Sequence, residues 1–555
     1  MLSPLLFRNS ALNLSSRRRS PATVSRCVCC LSAWTLLLAA ITSPASAEAP
    51  EAKSLYPAGL QRGTAADLNV RGKPGTQPAS IWSETDGLSF ELDEKGTTLK
   101  VTAADDVPPG LHWIRFYNGE GAGPLVPLLV GVLPEHREEE SNNRLDEAKE
   151  PLATPVLVNG ILNKSGDIDT YAIELKAGST FVASIESHRS LATPADPVLQ
   201  LLSPDGFVIE QNDDHHGFDP QIVHAVQQDG TYYVRVFAFP ATPNSTINFA
   251  GSNDYVYRLT LTIGPFVDHV VPAESPEASP RAVGWNLAGV DSVTPDDLPG
   301  LHTIHRSHHE ERTFVAEEAE STGRAEPLPV PCTVVGHIDA QGQVDAYPLK
   351  AAKGDALRFR VRSRSLDGAH DPVLKVVQVS DGKVLKEVDD IARGNLDVEL
   401  AWRSPADGDY RLEIFDRFGH ASLRHVYHLD VDRDTPGVEL SVANDRLMLK
   451  DDNPLEIKAT LNRAKGFRDD VSVTATGLPE GIEVTPATSS ASGDTSKEVT
   501  LKLQQKEGAA AFSGPIRIVG TTAGETPLEV EAVAGDAPAL GPKTQVWLTV
   551  IVKAE

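Results

Sequence analysis

Glu138-Glu-Glu-Ser-Asn-Asn143 is the stretch whose residue types best suit chemistry. Calcium takes six to eight hard oxygen ligands, a mixture of carboxylates and amide or backbone carbonyls. In an extended chain alternate side chains share a face, so Glu138, Glu140, Asn142 and Asn143 would present oxygens partly to one side. The same residues also read as a plain acidic linker. A second acidic group, Asn212-Asp-Asp-His-His216 with Asp219, lies between strand patterns. It reads as a cation or ligand contact, or as a solvated hairpin tip, and the hairpin tip is the expectation. His305, His308, His309 and Glu310 form a third cluster, but no helical period surrounds them and a solvated loop is expected. Cys332, between Pro331 and Thr333 at the head of a strand pattern, is expected to be a buried structural residue rather than a nucleophile.

The chain contains neither a Gly-x-Ser-x-Gly elbow nor a His-Glu-x-x-His helix motif. Repeats and sandwich patterns leave no stretch for a catalytic domain, so the chain reads as non-enzymatic. A net charge of −26 over 555 residues argues against a nucleic-acid partner, which requires a basic face.

The N-terminus carries Arg17, Arg18, Arg19 and Arg26, then an apolar run from Cys27 to Ile41, then Ser43-Pro-Ala-Ser-Ala47. This is the tripartite pattern of a secretory signal, with cleavage expected after Ala47. The run is shorter than the roughly 20 residues of a spanning helix, and no other segment is apolar enough to span. Removing residues 1–47 takes away five arginines and no acids, moving the charge from −26 to −31. It also leaves Cys332 as the sole cysteine, which excludes an intramolecular disulfide. The expected location is exported: periplasmic, cell-surface or extracellular.

The elements that must position these residues are strands. Thr231-Tyr-Tyr-Val-Arg-Val-Phe237 and Tyr255-Val-Tyr-Arg-Leu-Thr-Leu-Thr262 alternate with period two, and Asp-Gly turns separate such runs. Matching motifs recur at offsets of 175 to 178 residues: Asp169-Thr-Tyr171 with Asp345-Ala-Tyr347, Asp196-Pro-Val-Leu199 with Asp371-Pro-Val-Leu374, and Asp229-Gly-Thr-Tyr232 with Asp407-Gly-Asp-Tyr410. Pro109-Gly-Leu-His112 similarly returns as Pro299-Gly-Leu-His302. The fold class is therefore all-β, a tandem array of antiparallel sandwiches. The organisation reads as a signal (1–47), an immunoglobulin-like module (52–133), an acidic linker (134–150), a first repeat (151–264), a shortened immunoglobulin-like module (265–315), a second repeat (316–434) and an immunoglobulin-like tail (435–555). Exposed aromatics on one sandwich face would mark a binding module. Phe237, Phe239 and Phe249 are candidates, with Phe237 expected in the core beside Val234 and Val236.

Val158-Asn-Gly160, Ser165-Gly-Asp-Ile-Asp-Thr-Tyr171, Leu175-Lys-Ala-Gly178, Leu202-Ser-Pro-Asp-Gly206 and Asp229-Gly-Thr-Tyr-Tyr-Val234 follow in an order that resembles the bacterial pre-peptidase C-terminal domain. That is a jelly-roll-like sandwich, resembled more weakly by the second repeat. The whole layout resembles large exported planctomycete-type proteins with immunoglobulin-like modules. The resemblance implies an accessory to a secreted peptidase, and collagen and calcium binding in the collagenase versions. It also implies that Asp167 and Asp169 join Glu138, Glu140, Asn142 and Asn143 in one calcium site, with Asn143 standing where an aspartate is usual. In the second repeat Gln343 replaces Asp167, and Glu317-Glu-Ala-Glu-Ser-Thr322 lacks the asparagines, so no site is expected there. The functional expectation is a binding or adhesion protein of the cell envelope or surface, its partner an extracellular or envelope protein or polysaccharide. The alternatives are an accessory subunit of a secreted hydrolase and a structural spacer.

Overall fold

The computed structural model describes residues 47–148, 150–243, 248–271, 281–288, 298–300, 313–315, 326–366, 368–450, 453–524, 526–538 and 540–552. The N-terminal signal pattern, the His305–Glu310 cluster and the Glu317–Thr322 stretch lie outside them. Among the described residues nearly all regular structure is strand, the one α-helix being the single turn His188–Leu191.

The first repeat is two facing sheets. One orders Gln221–Ala225, Thr180–Glu186, Val256–Thr262, Val156–Ile161 and Glu135–Arg137; the other orders Asp169–Leu175, Gly230–Pro240, Ala195–Leu202 and Val208–Asn212. The period-two alternation explains the packing. Tyr232, Val234, Val236 and Ala238 of one strand point inward to meet Val158, Ile173, Phe181 and Leu259. Each such fully buried aliphatic or Phe side chain contributes about 1.5–3 kcal/mol of hydrophobic stabilisation.

The second repeat reproduces the strand order. Val398–Arg403, Ala356–Arg362, Val426–Arg433, Cys332–His337 and Thr313–Val315 form one sheet; Asp345–Ala351, Gly408–Asp416, Pro372–Gln378 and Val384–Val388 form the other. Cys332 is fully buried in its core.

Two boundaries differ from the sequence reading. Residues 134–150 are not a solvated linker: Glu135–Arg137 pairs in parallel with Leu157–Asn159 and completes the first sandwich. Likewise Thr313–Val315 pairs in parallel with Cys332–Val334, so it belongs to the second sandwich and not to the module before it. Three-residue edge strands carry no hydrophobic period, which is why the sequence pattern left one in a linker and the other in the preceding module.

The N-terminal module is a smaller sandwich of two four-stranded sheets between Glu51 and Gly131. The tail from Gly437 to Ile551 is a ten-stranded arrangement. These two modules meet: Arg115 and Asp445, both buried, pair at 2.5 Å, and the Trp547 ring packs against Trp82 and Tyr117. Between the repeats, Phe266–Val271 and Arg281–Trp285 form an antiparallel hairpin.

Candidate functional site

A glycine organises the acidic site. Gly160 sits opposite Tyr257 in the sheet, and a Cβ at Gly160 would lie 2.1 Å from the tyrosine ring. Only a residue without a side chain lets that ring lie flat across the strand. So placed, the Tyr257 hydroxyl donates to Asp169 Oδ2 at 2.5 Å and shares a 2.6 Å hydrogen bond with the Tyr171 hydroxyl. Tyr171 in turn reaches Glu138 Oε2 at 3.4 Å, which also accepts the Ile161 N–H at 2.8 Å.

Glu138 and Asp169 thus share one buried pocket around the two tyrosine hydroxyls. Two carboxylates sharing a buried pocket repel each other unless one keeps a proton. Burial is the largest effect on both; repulsion from Glu140 and Asp167 adds to it at Glu138, and repulsion from Glu138 and Asp167 adds to it at Asp169. Glu138 is pushed up to about 7, and Asp169 well above the usual carboxylate range. Asp167, fully buried, is held by the Ser165-Gly166-Asp167 turn, where Gly166 takes a φ of +84°. Its Oδ2 accepts the Asn163 N–H at 2.7 Å, and its Oδ1 accepts from Asn143 Nδ2 at 3.4 Å. Lys164 Nζ stands 3.7 Å from the same Oδ1.

Five of the six expected residues therefore converge: Glu138, Asn142, Asn143, Asp167 and Asp169. Glu140 sits at the exposed rim, where it accepts a hydrogen bond from Asn163 Nδ2. The extended face expected for 138–143 is not formed. The strand ends at Arg137, and the chain turns so that Asn142 is buried and its carbonyl accepts the Thr170 N–H at 2.9 Å. Asp169 Oδ1 and both side-chain polar atoms of Asn142 are buried without a hydrogen-bond partner. Such atoms cost free energy unless something satisfies them.

The second sandwich supplies an internal comparison. Gly336 faces Tyr427 as Gly160 faces Tyr257, and Tyr427 donates to Asp345 Oδ2 at 2.6 Å. Gln343, in the place of Asp167, accepts the N–H groups of Asp339 and Ala340 and donates from Nε2 to Asp345 Oδ1 at 2.8 Å. An amide N–H thus meets the oxygen whose counterpart, Asp169 Oδ1, has no partner in the first sandwich. Sequence reasoning missed Asn163, Tyr171 and Tyr257 as members of the site. The signal for the tyrosines was available, since Gly160/Tyr257 and Gly336/Tyr427 recur at nearly the same offset.

Two other expectations are corrected. Asn212–Asp219 is not a solvated tip. Asp213 and Asp214 are exposed, but His216 and Asp219 are buried. Asp219 accepts the N–H groups of Ser187, His188 and Arg189 at 2.7–3.1 Å, as Asp397 does for Ser363, Arg364 and Ser365. It is a structural anchor of the turn that follows a strand, and burial pushes it up to about 6. Phe237 is buried yet outside the core. Val234 and Val236 are in the core cluster and Phe237 is not; its ring is covered instead by Phe249 at 4.6 Å and Phe239 at 6.2 Å between centroids.

The chain is thus a multidomain, β-rich protein built of tandem sandwiches. Residues 167–238, the heart of the first sandwich, match the family described as the bacterial pre-peptidase C-terminal domain. Among curated proteins none matches the chain. Among solved structures the chain is similar to Escherichia coli alpha-2-macroglobulin activated by porcine elastase, at 10% identity and a TM-score of 0.13 over 86% of this chain and 43% of that one. The trypsin-activated Escherichia coli protein gives 10% and 0.14 over 90% and 41%, and a Salmonella alpha-2-macroglobulin 11% and 0.12 over 84% and 31%. The chain spans less than half the length of each, and at those scores the likeness carries no argument about function. Among the described residues no helix is long and apolar enough to cross a membrane.

Proposed function

We propose that the chain is an exported, non-catalytic binding or adhesion protein of the cell envelope or surface, with a mature N-terminus near Glu48. Both repeats act as pre-peptidase C-terminal-like sandwiches, and the first is locked by calcium. The observation that carries the binding reading is the outward cluster of Phe237, Phe239 and Phe249. Its rings are stacked edge to face and tilted, and Phe249 is 37% exposed. Aromatic faces held rigidly at a protein surface are platforms for sugar rings and apolar side chains. Calcium binding is supported by the orphaned oxygens of Asp169 and Asn142 and by a carboxylate pair that needs a proton or a cation to coexist. Glu138, Asn142, Asn143, Asp167 and Asp169 would supply the ligands, with Glu140 completing the set from the rim.

The test is sedimentation of the purified chain with envelope polysaccharide and with envelope protein extracts. Retention that Phe249→Ser abolishes supports the reading. Equal retention of both proteins, or none of either, refutes the aromatic platform, and turnover of a peptide or glycan substrate refutes the non-catalytic assignment. The family description favours a second reading, an accessory subunit of a secreted peptidase encoded elsewhere. Stoichiometric co-purification with a peptidase would select it.

A further inference from the structure

Away from the acidic pocket, a second polar cluster forms where the His215–His216 loop meets the strand Phe266–Val271. Asp268 Oδ1, fully buried, receives three nitrogens: Gln221 Nε2 at 3.1 Å, His216 Nε2 at 3.2 Å and His215 Nε2 at 3.4 Å. Gln221 Nε2 also lies 3.1 Å from His215 Nε2. The Gln221 side chain is buried, and its Oε1 has no partner. Neither orientation of this amide is comfortable. As placed, it leaves Oε1 orphaned in the interior. Rotated by half a turn, Oε1 would satisfy His215 but face the Asp268 carboxylate oxygen. A cation at the centre removes the conflict: both imidazole lone pairs, Asp268 Oδ1 and the rotated Gln221 Oε1 then all point at positive charge.

We propose that His215, His216, Asp268 and Gln221 form a four-coordinate site for a borderline divalent transition metal of the zinc class. The dimensions agree. A tetrahedron with bonds of about 2.0–2.1 Å has edges of roughly 3.3 Å, and four of the six separations here are 3.1–3.4 Å. The histidine and aspartate ligand atoms all lie within 4.8 Å of one another. Two imidazoles select zinc-class ions over calcium, which prefers oxygen alone.

The surroundings orient the set. His269 Nδ1 donates to Asp268 Oδ2 at 2.9 Å, and Arg424 Nε stands 3.7 Å from that oxygen, leaving Oδ1 to face the other three groups. Arg424 belongs to the second sandwich and also donates to the His215 carbonyl. The metal would therefore clamp the first sandwich, the hairpin after it and the second sandwich at one point. In the second repeat the backbone position of His215 is taken by Ile391, followed by Ala392, so no equivalent site is formed there.

The experiment uses the untagged full chain, stripped with chelator. Titration with Zn2+ should show one tight site per chain that millimolar Ca2+ does not displace, and Co2+ should give the intense visible bands of tetrahedral coordination. His215→Ala, at a partly exposed position, should weaken zinc by more than about 100-fold, and His269→Gln by about 10–100-fold. Asp167→Asn should leave zinc unchanged, which separates this site from the acidic pocket. Zinc affinity unaltered by His215→Ala, a Co2+ spectrum of octahedral type, or no tight zinc at all would overturn the proposal.

Discussion

Replacing Asp167 by Gln would copy into the first sandwich the solution already present in the second. There Gln343 keeps the backbone contacts of the turn and donates to Asp345 Oδ1 at 2.8 Å. In the first sandwich the same oxygen of Asp169 is buried and unpartnered beside Glu138 and Asp167. Asp167→Gln removes one buried like charge and satisfies an orphaned buried oxygen, a change of about 1–3 kcal/mol. Without calcium the variant should therefore be more stable than the parent by about 2 kcal/mol. At about 4 °C per kcal/mol for a domain of this size, that is a rise of roughly 8 °C in its transition. With calcium at 100 times its dissociation constant the parent gains about 2.7 kcal/mol and the variant should gain little, so the order closes or reverses. Scanning calorimetry of the full chain in chelator and in calcium reads both, the first sandwich being the transition that moves. A variant that melts below the parent in chelator, or that responds to calcium as fully as the parent, would refute the idea that an amide N–H stands in for the ion.

Three further outcomes follow from the same geometry. Glu138 is raised from 4.5 to about 7, so folding favours its protonated form; the calcium-free first sandwich should lose up to about 3 kcal/mol as pH rises from 4.5 to 7, while calcium affinity increases over the same range, both measurable by melts at fixed ionic strength. Gly160→Ala would drive a methyl group into the Tyr257 ring, which its two hydroxyl hydrogen bonds hold in place, and should cost about 1–3 kcal/mol in the first transition; Gly336→Ala should do the same in the second, as calorimetry would show. His370, fully buried and lowered from 6.5 to about 4, binds protons more weakly folded than unfolded; the second sandwich should lose about 3 kcal/mol as pH falls from 6.5 to 4, and His370→Gln should flatten that loss in acid-unfolding curves.

Local patterns were legible in the chain because they are set by neighbours in sequence. The period-two runs specified strands, and the Asp-Gly turns their ends. The ordered motifs at offsets of 175 to 178 announced a repeat whose strand order recurs in both sandwiches. Glu138, Glu140, Asn142 and Asn143 were named because their types suit an ion, whatever the fold, and Asp167 and Asp169 through the family resemblance. What tertiary structure decided was which groups meet. The Glu135–Arg137 edge strand carries three residues and no period, so composition read it as linker. Tyr257 is 88 residues from the aspartate it holds, and only the sheet register with Gly160 brings them together. Asp268 is 52 residues from His216, on a strand that follows the repeat. Phe237 looked like core from its neighbours Val234 and Val236, but one residue of offset in a strand turns a side chain to the opposite face. Burial then sets the chemistry: the carboxylate that a loop would leave as an ordinary solvated acid becomes, inside a sandwich, a group that must hold a proton or a cation.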